Sequence, residues 1–307
     1  MKVHQHWQGL ASNARGASVA LGNFDGLHRG HARVIDLARG RGPLGVVTFE
    51  PHPRQFFAPA TPPFRLMNAE ARANRLAKLG VDQLYELPFD AVLAGLSPDG
   101  FVEDVLHRGL GVAHVVVGQD FCFGKGRKGT AADLERSCAA CGIAVTVAPL
   151  LAEDGISISS TAIRKALTGG DTRTAAAMLG HWHRIEGEVL HGEKRGRTLG
   201  YPTANMALTG LHLPRLGVYA VLVDILTGPQ KGSYRGAASL GVRPMFGANA
   251  PNLETFLFDF DGDLYGQHLS VAFVEYLRPE LKFDGLPALI TQMDADCARA
   301  RQILAAL

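Results

Sequence analysis

Ala17-Ser18-Val19-Ala20-Leu21-Gly22-Asn23-Phe24-Asp25-Gly26-Leu27-His28-Arg29-Gly30-His31 runs from a short apolar stretch through a glycine-bearing turn into the start of a helix. Strand, tight turn and helix open an α/β unit, and the chain repeats that alternation to about residue 150. The apolar-rich runs Ala17–Leu21, Leu44–Phe49, Val81–Leu87, Val112–Val117 and Ile143–Val147 read as strands buried on both faces. The helices between them have legible ends. Asn68 is a cap for one that stops at Gly80, and Ser97-Pro98 opens one that closes near Gly109. Thr130 with Asp133 forms a capping box for a third, ended by Gly142. The pattern predicts a parallel sheet with right-handed crossovers.

Beyond this region Ser159 caps a helix over Ser160–Leu167, ended by Gly169-Gly170, and a shorter helical segment runs to Gly180. The rhythm then changes to period two at Ile185–Leu190, Val218–Ile225, Tyr234–Leu240, Leu253–Phe260 and Leu269–Tyr276, which predicts a small antiparallel barrel. A last helix follows, with Asp284 as its expected cap and Leu286, Leu289, Ile290, Met293 and Cys297 on one stripe. Two domains, 1–180 and 181–307, suit a length of 307 residues.

Bulk properties exclude several classes. Lys plus Arg is 31 against 29 Asp plus Glu, a net charge of +2, so no basic stripe argues for nucleic acid. The N-terminus lacks the apolar core of a secretory signal, and the best apolar run, Leu216–Leu226, is broken by Asp224. These features predict a cytoplasmic protein without a membrane partner. Four cysteines are too few for a disulfide scaffold, and Cys138-Ala139-Ala140-Cys141 reads as ordinary half-buried thiols late in a helix.

Three loops of the first half suit phosphates. In Gly22–His31 two glycines allow close backbone approach, and His28 and His31 project from a helix N-terminus that favours anions. Taken alone, a His-x-x-His could be a surface pair or part of a zinc site. Gly118–Gly129 is glycine-rich and basic, with Asp120 near its start, and Ser159, Ser160, Thr161 and Arg164 offer hydroxyls and a guanidinium at another helix N-terminus. In the second half, glycines flank Lys194, Arg195 and Arg197 in the loop from Gly192 to Gly200, leading to Pro202, Thr203 and Asn205. The two last offer neutral oxygens suited to Mg²⁺. In Leu253–Phe260, period two puts Glu254 with Phe256, Phe258 and Phe260 on an aromatic face expected to point inward, where a carboxylate could serve as a base.

These motifs resemble a known family. His28-x-Gly30-His31 is similar to the His-x-Gly-His signature of nucleotidyltransferases. With Thr48–Pro53, Gly118–Gly129, Ile158–Arg164 and Gly196–Asn205, it looks like the bacterial bifunctional riboflavin kinase/FAD synthetase. The resemblance implies a Rossmann-like nucleotidyltransferase domain, then a kinase barrel with a C-terminal helix. It implies ATP and Mg²⁺ as cofactors, and riboflavin, FMN and FAD as substrates and products. Gly22, Asn23, Phe24, Asp25, His28, Gly30, His31, Asp120, Ser160 and Arg164 would line the adenylylation site, with Ser159 and Thr161 beside them, and Pro51–Arg54 would lie near the flavin. Gly192, Arg197, Gly200, Pro202 and Arg278 would belong to the kinase site, Thr203 and Asn205 would anchor Mg-ATP, and Glu254 would be the base on the flavin 5′-hydroxyl. Departures are Ser239 and Met245 near the expected flavin site, and His181-Trp182-His183 where Arg-Pro-Tyr/Phe is usual. Two alternatives keep the fold: a nucleotidyltransferase for another acceptor with the barrel as a binding module, or a flavin-responsive regulator without turnover.

Overall fold

The computed structural model describes residues 1–149, 152–153, 156–191, 200–243 and 250–307. The chain divides into two compact units, Met1–Pro62 with Arg72–Ile158, and Pro63–Ala71 with Ser159–Leu307.

The first half of the chain carries β1 (Lys2–His4), β2 (Ser18–Leu21), α1 (Arg29–Leu37), β3 (Leu44–Glu50), α2 (Pro53–Phe57), α3 (Ala69–Lys78), β4 (Gln83–Pro88), α4 (Ala91–Gly95) and α5 (Pro98–Gly100). A π-type helix Phe101–Leu110 continues α5, followed by β5 (His114–Gly118), β6 (Cys122–Phe123), β7 (Gly129–Thr130), α6 (Ala131–Ala140), β8 (Ala144–Ala148), β9 (Ala152–Glu153) and β10 (Ile156–Ser157). Six strands form one parallel sheet in the order β1-β4-β3-β2-β5-β8. The four central strands are buried nearly throughout, as their unbroken apolar runs require. The edges differ from the sequence reading: β8 is mostly half-exposed, and β1, too short and polar to announce itself, pairs with β4. The expected caps form. Ser97 Oγ accepts the Gly100 N–H at 3.0 Å, and Thr130 and Asp133 exchange both bonds of the capping box. Cys138 is buried, and burial pushes its thiol up to about 12, which keeps it protonated.

In the second unit α7 (Ser160–Gly169) and α8 (Thr172–Leu179) precede the barrel strands β11 (Arg184–Glu188), β12 (Ala204–Ala207), β13 (Gly217–Ile225), β14 (Gly232–Arg243), β15 (Ala250–Leu257) and β16 (His268–Arg278). The order β11-β16-β13-β14-β15-β12 is antiparallel throughout, and a bridge between Leu190 and Asn205 nearly closes it. Inward residues such as Ile185, Val221, Leu240, Leu253, Leu269 and Phe273 fill the interior. The helix α9 (Leu286–Ala305) covers the opposite face of β13, β14 and β16, packing Ala300 and Leu304 on Ala220, Ala237 and Val274. Asp284 is not its cap. The cap is Gly285, with no side-chain bond, and Leu286 is 58% exposed. Further along the expected stripe, Leu289 and Met293 line a cavity, and Cys297 lines it while also packing on the core beneath the helix.

His183, one of the sequence departures, is 3% exposed, lies 5.9 Å from the Phe273 ring and leaves its Nε2 without a partner. Burial lowers its pKa from 6.5 to about 3. The unfolded chain therefore takes up a proton as pH falls through 6.5, whereas the folded chain does so only near 3. Its contribution is whole above the higher value and drains away below it, by about 2 kcal/mol at about pH 5. His183→Phe should flatten the stability profile in this window and raise the melting temperature near pH 5. Parallel thermal-unfolding profiles for the two proteins would refute this assignment.

Candidate active sites

β2 lies between β3 and β5, and the chain leaves it in one direction toward β3 and β4 before crossing back to β5. This is a topological switch point, where a crevice opens beyond the carboxyl ends of the strands. Gly22–His31 follows β2, and Asp120 follows β5. The turn is anchored by Gly22 N–H donating to Val47 O at 3.1 Å and by Phe24 and Leu27, both buried with positive φ of 52° and 44°. Such strain in residues with a Cβ persists only where packing enforces it. It brings His28 to the N-cap of α1.

His28 Nδ1 accepts the His31 backbone N–H at 3.2 Å, so the neutral ring carries its proton on Nε2. The His28 and His31 rings stack at 3.6 Å, and Phe24 meets His31 edge-on at 5.3 Å. Burial is the main reason that the His28 pKa falls to about 4, with the Asp120 charge opposing it. Burial and then His28 hold His31 well below the ordinary value. Both imidazoles are therefore neutral hydrogen-bond donors near neutrality. Asp25 is buried beside them in sequence, and the Asn23 Oδ1 is buried without a partner. Among the described residues no group of three His, Cys, Asp or Glu gathers as for a metal ion.

The stretch after β3 takes a role that the sequence left open. His52 caps α2, its Nδ1 accepting the Arg54 N–H at 3.0 Å while its own N–H donates to Gln55 at 3.2 Å. The same short helix presents Phe56 and Phe57, 37% and 64% exposed, which meet Phe89 edge-on at 5.4 and 5.7 Å. That aromatic cluster was missed, although adjacent Phe residues in a polar turn were its signal.

Ser159, Ser160, Thr161 and Arg164 lie at the N-terminal end of α7, in the second unit. The Ser159 Oγ accepts the Ala162 N–H at 3.2 Å, and Arg164 Nε donates to Phe64 O at 2.6 Å.

In the barrel, Asn205 of β12 and Ser239 of β14 both oppose Glu254 of β15. Glu254 does share a face with Phe256, but that face points out of the barrel, toward α9. Leu253 and Leu257 occupy the interior instead. Phe260 leaves this face altogether, because the strand ends at Leu257 and Asp259 turns with φ 56°. Phe260 packs on Tyr234 at 5.1 Å. Two cavities meet at Thr203. One of about 310 Å³ lies under α9, with Tyr201, Ser239, Glu254 and Phe256 on the barrel side and Met293 and Cys297 on the helix. The other, about 320 Å³, is lined by Pro202, Ala204 and the turn Asp261–Tyr265. Gly200, with φ 83°, leads into this segment. Gly192, Arg197 and Met245 lie outside the described residues.

Arg278 also lines the first cavity. Its guanidinium is held by Asp296 of α9, with Nε–Oδ2 at 2.8 Å and Nη2–Oδ2 at 2.7 Å. Gln292 donates to the same carboxylate at 3.0 Å, and Tyr201 bonds Asp294 of α9, which raises the Tyr201 pKa to about 12. These tethers fix the helix that roofs the cavity, and no sequence pattern announced them. Asp296→Ala would strand a largely buried guanidinium, at a cost of about 3–5 kcal/mol. The expected result is a melting temperature lowered by several degrees, measured by scanning calorimetry, and an unchanged one would remove this tether from the barrel's stability.

Family models described as FAD synthetase and riboflavin kinase match residues 10–162 and 179–304. A bifunctional riboflavin kinase/FMN adenylyltransferase of Pseudomonas fluorescens is 42% identical over 99% of this chain and 98% of its own. The protein of the same description from Escherichia coli K12 is 37% identical over 94% and 92%, and that from Bacillus subtilis 38% over 91% and 89%. A solved structure described as a macrolide-efflux protein from Streptococcus pneumoniae shares the fold, with a TM-score of 0.80 and 32% identity across 96% of both chains. No helix among the described residues is long and apolar enough to cross a membrane. Two family models in succession, and relatives matched from end to end, place the chain in the bifunctional riboflavin kinase/FMN adenylyltransferase family.

Proposed function

We infer that this chain phosphorylates riboflavin to FMN in its barrel and then adenylylates FMN to FAD with release of pyrophosphate, spending one ATP at each step in the cytoplasm. The observation that carries this reading is the presence of two separate phosphate-suited constellations, on two unrelated folds, in a chain related throughout to enzymes named for both reactions. We assign the adenylyltransferase to residues 1–180 and the kinase to 181–307.

In the kinase step, Glu254 accepts the proton of the flavin 5′-hydroxyl, whose oxygen attacks the γ-phosphorus as ADP departs. The cavity under α9, walled by Phe256 and Met293, suits the flavin, and the neighbouring cavity suits ATP. Thr203 stands in the wall of both. Thr203 and Asn205 would hold Mg²⁺, and they fit a hard cation because their oxygens are neutral and the remaining ligands would be water and phosphate. When bound, the ion neutralises phosphate charge. Gly192, Arg197 and Gly200 are assigned to the phosphates, and Pro202 and Arg278 to shaping the site.

In the adenylyl step a phosphate oxygen of FMN attacks the α-phosphorus of ATP and pyrophosphate leaves. His28 and His31 donate to the phosphoryl oxygens from the end of α1, where the helix dipole adds to their effect. Gly22, Asn23, Phe24, Asp25 and Gly30 let the backbone approach the nucleotide, and Asp120 flanks it. Ser159, Ser160, Thr161 and Arg164 are assigned to nucleotide binding on the resemblance of their sequence. The exposed Phe56 and Phe57, packed edge-on against the half-buried Phe89, offer an apolar surface for the flavin ring of FMN. Incubation with riboflavin, ATP and Mg²⁺, with flavins separated over time, should show FMN rise and then convert to FAD. Riboflavin and supplied FMN both left unchanged would overturn the reading.

A further inference from the structure

Asn252 stands two residues before Glu254 on β15, is 1% exposed, and lines neither cavity beside Thr203. It is buried more deeply than Asn205, which is 7% exposed, and its carboxamide joins two groups that the kinase step uses. Asn205 sends its Nδ2–H to Thr203 O at 3.3 Å, which turns its Oδ1 toward β15. The Asn252 Nδ2 meets that oxygen at 3.4 Å and donates also to Glu254 Oε1 at 3.2 Å. One amide with two hydrogens thus serves two acceptors on adjacent strands. The orientation of all three side chains follows from the pairing, since a reversed amide would set oxygen against oxygen.

We propose that Asn252 is a positioning residue of the kinase site, holding the Glu254 carboxylate and the Asn205 carbonyl in fixed relation to each other. This rests on the kinase reading above. Glu254 must meet the flavin hydroxyl while Asn205 serves the phosphate end of the same transfer, so an error in their separation harms the reaction geometry more than it harms binding of either substrate. Burial keeps water from replacing the amide, so its hydrogen bonds persist in the free enzyme. Asn205 Oδ1 keeps its second lone pair for a cation. Glu254, which borders the cavity and carries three rotatable bonds, gains a defined direction before riboflavin arrives.

The test uses the full chain with Asn252→Leu, which approximates the shape and removes the donor. Loss of a hydrogen bond to a charged group should lower kcat for riboflavin phosphorylation by about 10- to 100-fold. The riboflavin KM should stay within about threefold, and so should the riboflavin dissociation constant read by flavin fluorescence without ATP or Mg²⁺. FAD formation from supplied FMN should be unchanged, reporting an intact chain. In a Glu254→Gln background the same substitution should cost less than about threefold, because residues that act as a unit are not additive. A purely structural role would give equal losses with and without the Glu254 carboxylate, and that result, or an unaffected kcat, would overturn the proposal. If Asn252→Leu also loses FAD formation, Asn252→Asp carries the test. It keeps the shape more closely and replaces the donor with a carboxylate, so the same pattern with a deeper loss of kcat is expected, and a kcat equal to that of wild type would again overturn the proposal. An inactive wild-type kinase would remove the parent reading, whereas an active wild type with an indifferent Asn252→Leu would remove this inference alone.

Discussion

Glu254→Gln is expected to lower riboflavin phosphorylation by about 10²- to 10⁴-fold, the usual worth of a positioned general base, and to leave FAD formation from supplied FMN intact. The glutamine keeps the shape and the Oε1 that receives the Asn252 N–H, so packing under α9 is preserved and the loss reports proton transfer. Its position supports the assignment: Glu254 borders the cavity under α9 together with Thr203, and opposes Asn205 in the strand register. The decisive measurement is the pair of rates on one preparation. A variant that fails at both steps while melting like wild type would contradict two independent sites. One that phosphorylates riboflavin normally would remove Glu254 from the mechanism.

His28→Ala with His31→Ala should stop the flavin at FMN. Removal of one preorganised donor to developing charge typically costs about 10²–10³ in rate, and the pair should cost at least that much. The rings stack at 3.6 Å at the head of α1, so single and double variants will not be additive. Their ionisation supplies a second check. With His28 at about 4 and His31 also held well below the ordinary imidazole value, neither ring of the free enzyme titrates where a free histidine would. The kcat/KM for FMN should therefore show no histidine-like loss near pH 6.5. A fall centred there, abolished by His28→Ala, would mean that a charged imidazole is involved and would reverse the assigned roles. In chromatographic time courses the double variant should accumulate FMN at the wild-type rate.

Much of this molecule was legible in its residues because the relevant forces act locally. Unbroken apolar runs marked β2 to β5, since a strand covered on both faces has no room for alternation. Ser97, Thr130 with Asp133, and Ser159 marked helix starts, because a cap needs only a neighbour two or three residues on. The glycines and histidines of Gly22–His31 carried their own backbone requirement. The first strand was invisible, being short and at an edge, and β12 was hidden inside a motif read as a loop.

By itself, then, the sequence determined the two fold rhythms, the helix ends and the candidate phosphate loops, each a consequence of spacing along the chain. Only the tertiary structure decided which side of β15 is covered. The alternation put Glu254 and Phe256 on one face, but whether that face meets the barrel interior or α9 depends on a helix some thirty residues downstream. The same holds for Arg278 with Asp296, Tyr201 with Asp294, and Asn252 between Asn205 and Glu254. Each is a contact between distant segments, formed when the sheet closes and the helix docks, and local periodicity carries no record of which partners that closure will bring together.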